Sequence, residues 1–170
     1  VFFYIVSLTF LITIWSNIIN LVSHSVYFYG MISIVNTELY KDCLKEINYS
    51  FGNVFIFKEF VISQFCRGEV ISWENQIKLM VEDIGAFYNS DGSDVVYISN
   101  RINSYSLVAA DWLKFYKSNY KVKAYCVVSQ NKAGYLNSMI EKLFFKKEIR
   151  HFSNLYEAVN YVKQGLIEIS

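Results

Sequence analysis

The chain has 170 residues, 54% of them hydrophobic and 18% charged, with sixteen Lys and Arg against fifteen Asp and Glu. That length holds one ordinary domain with a sizeable core, and the charge balance excludes a disordered polyelectrolyte and a histone-like nucleic-acid packer. Proline is absent, which excludes a proline-rich linker or polyproline ligand as well.

The charge is unevenly placed. No Asp, Glu, Lys or Arg precedes Glu38, so all 31 charges fall within residues 38–170. That portion is 31/133 charged, about 23%, near the ~25% of a soluble globular domain. Residues 38–100 carry five cations and ten anions, whereas residues 101–170 carry eleven and five. Either the halves offset each other on folding, or they leave a basic surface of Lys114, Lys117, Lys121, Lys123 and the run 142–150.

Residues 1–22 form an apolar, uncharged run of bilayer-spanning length, about 20 residues. Ser7, Thr9, Thr13, Ser16, Asn17 and Asn20 dilute it, and the first cation is Lys41, so nothing sets its orientation as a membrane anchor. A secretory signal would need a positive start and a small-residue cleavage site, which it lacks. The favoured expectation is that residues 1–30 are not natural protein, because Val1 stands where Met is usual and Met31 precedes the change in composition. A membrane anchor is the alternative. The remainder, 31–170, is then expected to be a single cytoplasmic domain.

Cys43, Cys66 and Cys126 are widely spaced with no CxxC, which suits a reducing compartment and argues against a disulfide framework or a zinc site. With His24 and His151 as the only histidines, no metal centre is expected.

Along the chain, segments 44–50, 54–57 and 60–65 read as strands of an antiparallel meander, with turns at Phe51-Gly52-Asn53 and Lys58-Glu59. A helix is predicted from Trp73 to Tyr88, capped by Ser72, with Trp73, Ile77, Met80, Ile84 and Phe87 inward. After the loop 89–93, a strand at 95–99 leads to a second helix at 106–118, then a strand at 122–128. A third helix spans 132–145, with Ala133, Leu136, Ile140, Leu143 and Phe144 inward. A strand at 149–152 precedes a last helix, 154–164, capped by Ser153 and ended by Gly165. This order predicts an α/β fold whose mixed sheet opens antiparallel, continues as parallel β-α-β units and packs with about four helices.

Two strings carry a resemblance: Phe57-Lys58-Glu59-Phe60-Val61-Ile62-Ser63, and the run Val96-Tyr97-Ile98-Ser99-Asn100-Arg101-Ile102-Asn103-Ser104-Tyr105-Ser106. They resemble small bacterial proteins, common in Bacteroidota, described as STAS/SEC14-like or SpoIIAA-like domains, over roughly residues 44–162. The resemblance implies a STAS-like fold and a non-enzymatic regulatory role. In anti-sigma-factor antagonists, a phosphorylatable Ser or Thr follows an acid where a strand meets a helix, and a Gly comes next. The matching positions are Asn103, Ser104, Tyr105 and Ser106; Asn103 replaces the acid and no Gly follows. Ser104 is the implied phosphorylation site. A phosphate there would find the free N–H groups of the predicted helix start, while Ser106 as a plain cap serves the same sequence.

Other chemistry is not expected. A Ser104–His151–Asp111 triad or a Cys126–His151 dyad can be assembled on paper, but GxSxG, Walker A and GxGxxG motifs are all absent. The Lys/aromatic run 114–123 straddles a helix end and a strand start, so no nucleic-acid partner is expected. Neither catalysis nor a cofactor is expected. Two functions remain: a module that binds a protein partner through Arg101, Asn103, Ser104, Tyr105 and Ser106, or a binder of a small apolar ligand or lipid beside the helix 73–88. A membrane partner is expected only if residues 1–22 are genuine.

Overall fold

Strand-length apolar runs separated by short turns build the sheet that everything else packs on. The computed structural model describes residues 31–130 and 132–165, with 132–134 through the backbone alone. The expectations for the apolar leader lie outside the described residues.

Eight strands occur among the described residues: β1 (Lys45–Tyr49), β2 (Gly52–Ile56), β3 (Phe60–Phe65), β4 (Val70–Ile71), β5 (Val96–Asn100), β6 (Ser106–Leu107), β7 (Ala124–Val128) and β8 (Ile149–Phe152). Four helices accompany them: α1 (Lys78–Tyr88), α2 (Trp112–Lys117), α3 (Lys132–Glu141) and α4 (Leu155–Lys163). Six strands form one sheet in the order β1-β2-β3-β5-β7-β8, and β4 pairs with β6 apart from it. The β1–β2 and β2–β3 pairs are antiparallel, and the β3–β5, β5–β7 and β7–β8 pairs are parallel. This is the predicted α/β architecture. At the first hairpin a Cβ on Gly52, whose φ is +146°, would lie 2.5 Å from the Gln64 carbonyl oxygen, so only glycine lets β3 pass.

The side chains of each strand alternate between two cores. On one face, Leu155, Ala158, Val159 and Val162 of α4 pack on Phe60, Ile62, Ile98 and Cys126. On the other, Met80 and Ile84 of α1 meet Val54, Ile56, Val61 and Phe65, and Trp112 meets Tyr125 and Phe145. Successive right-handed crossovers in one direction put α1, α2 and α3 together on this second face.

Four expectations require correction. Ser106 does not start a helix: it pairs with Val70 in β6, its N–H donating to the Glu69 carbonyl at 3.0 Å, and helix begins only at Trp112 after a 3₁₀ turn, Ala109–Asp111. Ladder bonds to β4 satisfy the backbone that a helix would otherwise have paired. Helix α1 is entered through a π-helical turn, Trp73–Ile77, without a Ser72 side-chain cap. Instead the Gln76 side chain accepts from the Ser72 N–H at 2.9 Å, Asp111 accepts from the Trp73 N–H at 2.7 Å, and Phe87 is exposed. The cap of α4 is Asn154, accepting from the Glu157 N–H at 2.9 Å, one residue beyond Ser153. Gly165 follows α4 with φ +66°, as expected.

The fourth correction concerns α3, which ends at Glu141 and is turned the other way round. Leu136, Ile140 and Leu143 are 60%, 52% and 79% exposed, whereas Ser138, Glu141 and Phe145 are buried. The partner that Glu141 reaches explains the rotation.

Candidate functional site

The alternation that points Tyr97 and Ser99 toward α1–α3 carries on to Arg101, just past the end of β5. Arg101 is 4% exposed and its Nη2 donates to Glu141 Oε1 at 2.5 Å, with Glu141 itself 1% exposed. The same nitrogen donates to the Tyr125 hydroxyl at 2.9 Å, and that hydroxyl donates to Glu141 Oε2 at 2.8 Å. Ser99 Oγ lies 3.4 Å from Arg101 Nε and 2.6 Å from the Tyr105 hydroxyl. The Tyr105 ring also lies under the guanidinium, 5.5 Å from Cζ. Beside this group the Ser63 and Tyr97 hydroxyls share a bond of 2.7 Å.

A buried ion pair needs such company, because the interior offers no water to solvate it. Burial alone would push Arg101 down, but Tyr125, Tyr105 and Glu141 hold it charged and above its ordinary pKa. Burial pushes Tyr97, Tyr105 and Tyr125 up, so all three stay neutral. The cluster keeps its protons near neutral pH, and what it accomplishes is to hold α3 to the sheet.

The five sequence-predicted site residues therefore separate. Arg101 is internal and cannot be part of a docking surface. Tyr105 is half-buried between the cluster and the Phe65 ring, 5.1 Å away centre to centre. Asn103 is half-buried and its Nδ2 donates to the Phe65 carbonyl at 2.9 Å. Ser104 and Ser106 are exposed, with the Ser104 carbonyl accepting from the Gly68 N–H at 2.8 Å. Because a strand follows Ser104, the helix N-terminus expected to favour a phosphate there does not exist; α2 starts eight residues later, at Trp112.

The paper triad and dyad fare no better. Cys126 pairs in register with Arg150 and packs in the α4 core, while His151 lies beside Ser138 of α3, on the opposite face. Burial pushes the Cys126 thiol up to about 12. Asp111 is engaged by the Trp73 N–H and by Lys114 at 3.0 Å. Among the described residues no group of His, Cys, Asp and Glu is arranged to hold a metal ion.

Between α1, α2 and the sheet lies a cavity of about 90 Å³. Val61, Val95, Tyr97 and Tyr125 come to it from the sheet, Trp73, Ile77, Met80 and Ile84 from the α1 side, and Leu107, Val108, Trp112 and Phe115 from the junction and α2. Its ionised lining groups are already engaged: Asp91 with Lys121 at 2.7 Å, and Asp111 as above. The Lys121 ammonium holds the Asp91 carboxyl well below its ordinary pKa. A π turn at the mouth of a helix widens it by a residue, and here that turn supplies Trp73 and Ile77. An engineered apolar cavity of ~150 Å³ holds a benzene ring, so this one suits a smaller apolar group or the end of a chain. The 73–88 helix was the sequence signal for it; the contribution of residues 107–115 was hidden by reading them as one amphipathic helix.

No protein-family model, no curated protein and no solved structure matches this chain.

Proposed function

We propose that the chain is a non-catalytic regulatory module, STAS-like in kind, that takes a small apolar ligand between α1, α2 and the sheet. The observation that carries this reading is the shared wall: Leu107, Val108, Asp111 and Trp112 line the cavity and belong to the segment that also presents Ser104 and Ser106 to solvent. A ligand that fills the cavity presses on the residues that carry the exposed loop, which is how occupancy would reach a protein partner. Three cysteines without a disulfide fit a cytoplasmic setting.

The test is native mass spectrometry of the purified chain, followed by titration with hexanol and octanoate while Trp fluorescence and Tm are read. Saturable binding with a rise in Tm is expected, and Val108→Phe, a larger side chain at a half-exposed lining position, should abolish it. Absence of any bound mass and of any Tm shift would end the ligand reading. The partner-binding half is read separately: a partner whose capture is unchanged by Ser104→Asp does not dock at this loop.

A further inference from the structure

Helix α3 and the turn after it turn five large apolar side chains to solvent: Tyr135, Leu136, Met139, Ile140 and Leu143. A helix stripe of this size normally faces a core, and contiguous exposed apolar surface marks a place where something docks. The stripe is fixed outward from inside, because Glu141 and Ser138 on the opposite side are taken up by Arg101, Tyr125 and His151. The charge around it identifies the occupant. Lys142 is exposed; the exposed Lys146 and Lys147 reach the Tyr116 ring and the Val122 and Lys123 carbonyls; and of the two nearby anions Glu141 is buried in its ion pair while Glu148 is paired with Arg150 at 3.0 Å. A second copy placed symmetrically on this face would bring lysines against lysines. A surface that accepts apolar side chains and presents negative charge around them suits it instead.

We propose that this face docks on an anionic phospholipid bilayer, with α3 lying in the interfacial plane. Leu136, Met139, Ile140 and Leu143 would enter the acyl boundary, Tyr135 would sit at headgroup level, and the Lys142 ammonium would meet lipid phosphates. The inference is independent of the cavity and holds whether or not that cavity takes a ligand.

Full-length chain is mixed with vesicles of pure phosphatidylcholine or of phosphatidylcholine with 30% phosphatidylglycerol, and binding is measured by co-sedimentation at low and high salt. Hydrogen exchange of residues 135–147 is followed in parallel. Binding to the anionic vesicles at least tenfold tighter than to the neutral ones, weakened by salt, is expected, with protection of 135–147. Ile140→Glu/Leu143→Glu should weaken it at least tenfold, and Lys142→Glu by a smaller factor, with Tm unchanged because these side chains touch solvent. Three results overturn the proposal: no preference for anionic vesicles; undiminished binding by the double variant, which would place attachment in residues 1–30; or a dimer in sedimentation equilibrium that the double variant dissolves, which would make the occupant a second copy.

Discussion

Replacing Arg101 and Glu141 singly and together tests what orients α3. Arg101→Met leaves a carboxylate that is 1% exposed with its guanidinium gone and the Tyr125 hydroxyl still donating to it. Breaking a buried pair from one side costs about 3–5 kcal/mol, or roughly 9–15 °C in Tm at about 3 °C per kcal/mol for a unit of this size. Glu141→Leu costs a similar amount, since Arg101 keeps its charge but loses the carboxylate. The double variant removes both charges and keeps the volume. What it forfeits is the hydrogen bonding that Tyr125 and Ser99 made to the pair, about 1–3 kcal/mol. The singles should therefore sum to roughly 6–10 kcal/mol while the double stays within about 3 kcal/mol of wild type. Urea unfolding monitored by Trp fluorescence and circular dichroism, with m-values checked for constancy, measures all four corners of the cycle. Limited proteolysis across 132–147 should find α3 accessible in each single variant and closed in the double. Additive costs, with the double equal to the sum within about 0.5 kcal/mol, would refute the view that this pair fixes the helix.

Thiol titration should distinguish three cysteines: Cys66, exposed, reacts first; Cys43, half-buried with its pKa raised mainly by burial, follows; Cys126 reacts only on unfolding. His151 gives a pH dependence of defined sign. Its pKa is lowered by burial and then by Lys142 and Arg101, so below the ordinary value of ~6.5 the unfolded chain binds the proton that the folded chain refuses. Stability should fall as pH is lowered from about 6.5, and His151→Gln should flatten that part of a Tm-against-pH curve. Gly92→Ala should destabilise by about 2 kcal/mol or more: φ is +87° and a Cβ would lie 2.4 Å from the Lys121 carbonyl oxygen. Denaturant midpoints for Gly92→Ala and, as a control, Gly68→Ala, whose Cβ would meet nothing within 4 Å, separate the clash from the strain of a positive φ.

The sheet was legible because its strands are short apolar runs with turn residues between them, and parallel pairing follows from strands alternating with helices. Segment 106–108 was misread because Ser106 has the chemistry of a cap and the apolar spacing that follows suits a helix; only pairing with Val70 and Ile71, more than thirty residues earlier, decides for a strand. Residues 103–106 follow the strand read at 95–99, but the direction of Arg101 was missed. The signal was present. Arg101 continues the phase of Tyr97 and Ser99, and Glu141 is the sole acid between Asp111 and Glu148, the mark of an anion with an assigned partner.

Helix α3 shows why periodicity gives a stripe but not its direction. Turning Leu136, Ile140 and Leu143 into the core would bury side chains worth about 1.5–3 kcal/mol each when fully removed from water. The same rotation would carry Glu141 out and strand the Arg101 guanidinium, at about 3–5 kcal/mol for the broken pair. Because these side chains are 60%, 52% and 79% exposed, the burial still to be gained is about 3–6 kcal/mol in all, the size of the broken pair, so the outward apolar face is a standing cost that the ion pair offsets with little margin. A bilayer surface that covers the stripe removes that cost without disturbing Arg101. Anionic vesicles should therefore raise the Tm of wild type, and should raise it less for Ile140→Glu/Leu143→Glu, whose exposed face has little apolar area left to cover. Equal shifts for the two chains would show that lipid acts elsewhere on the protein, and the energetic argument for the orientation of α3 would then lose its link to the membrane.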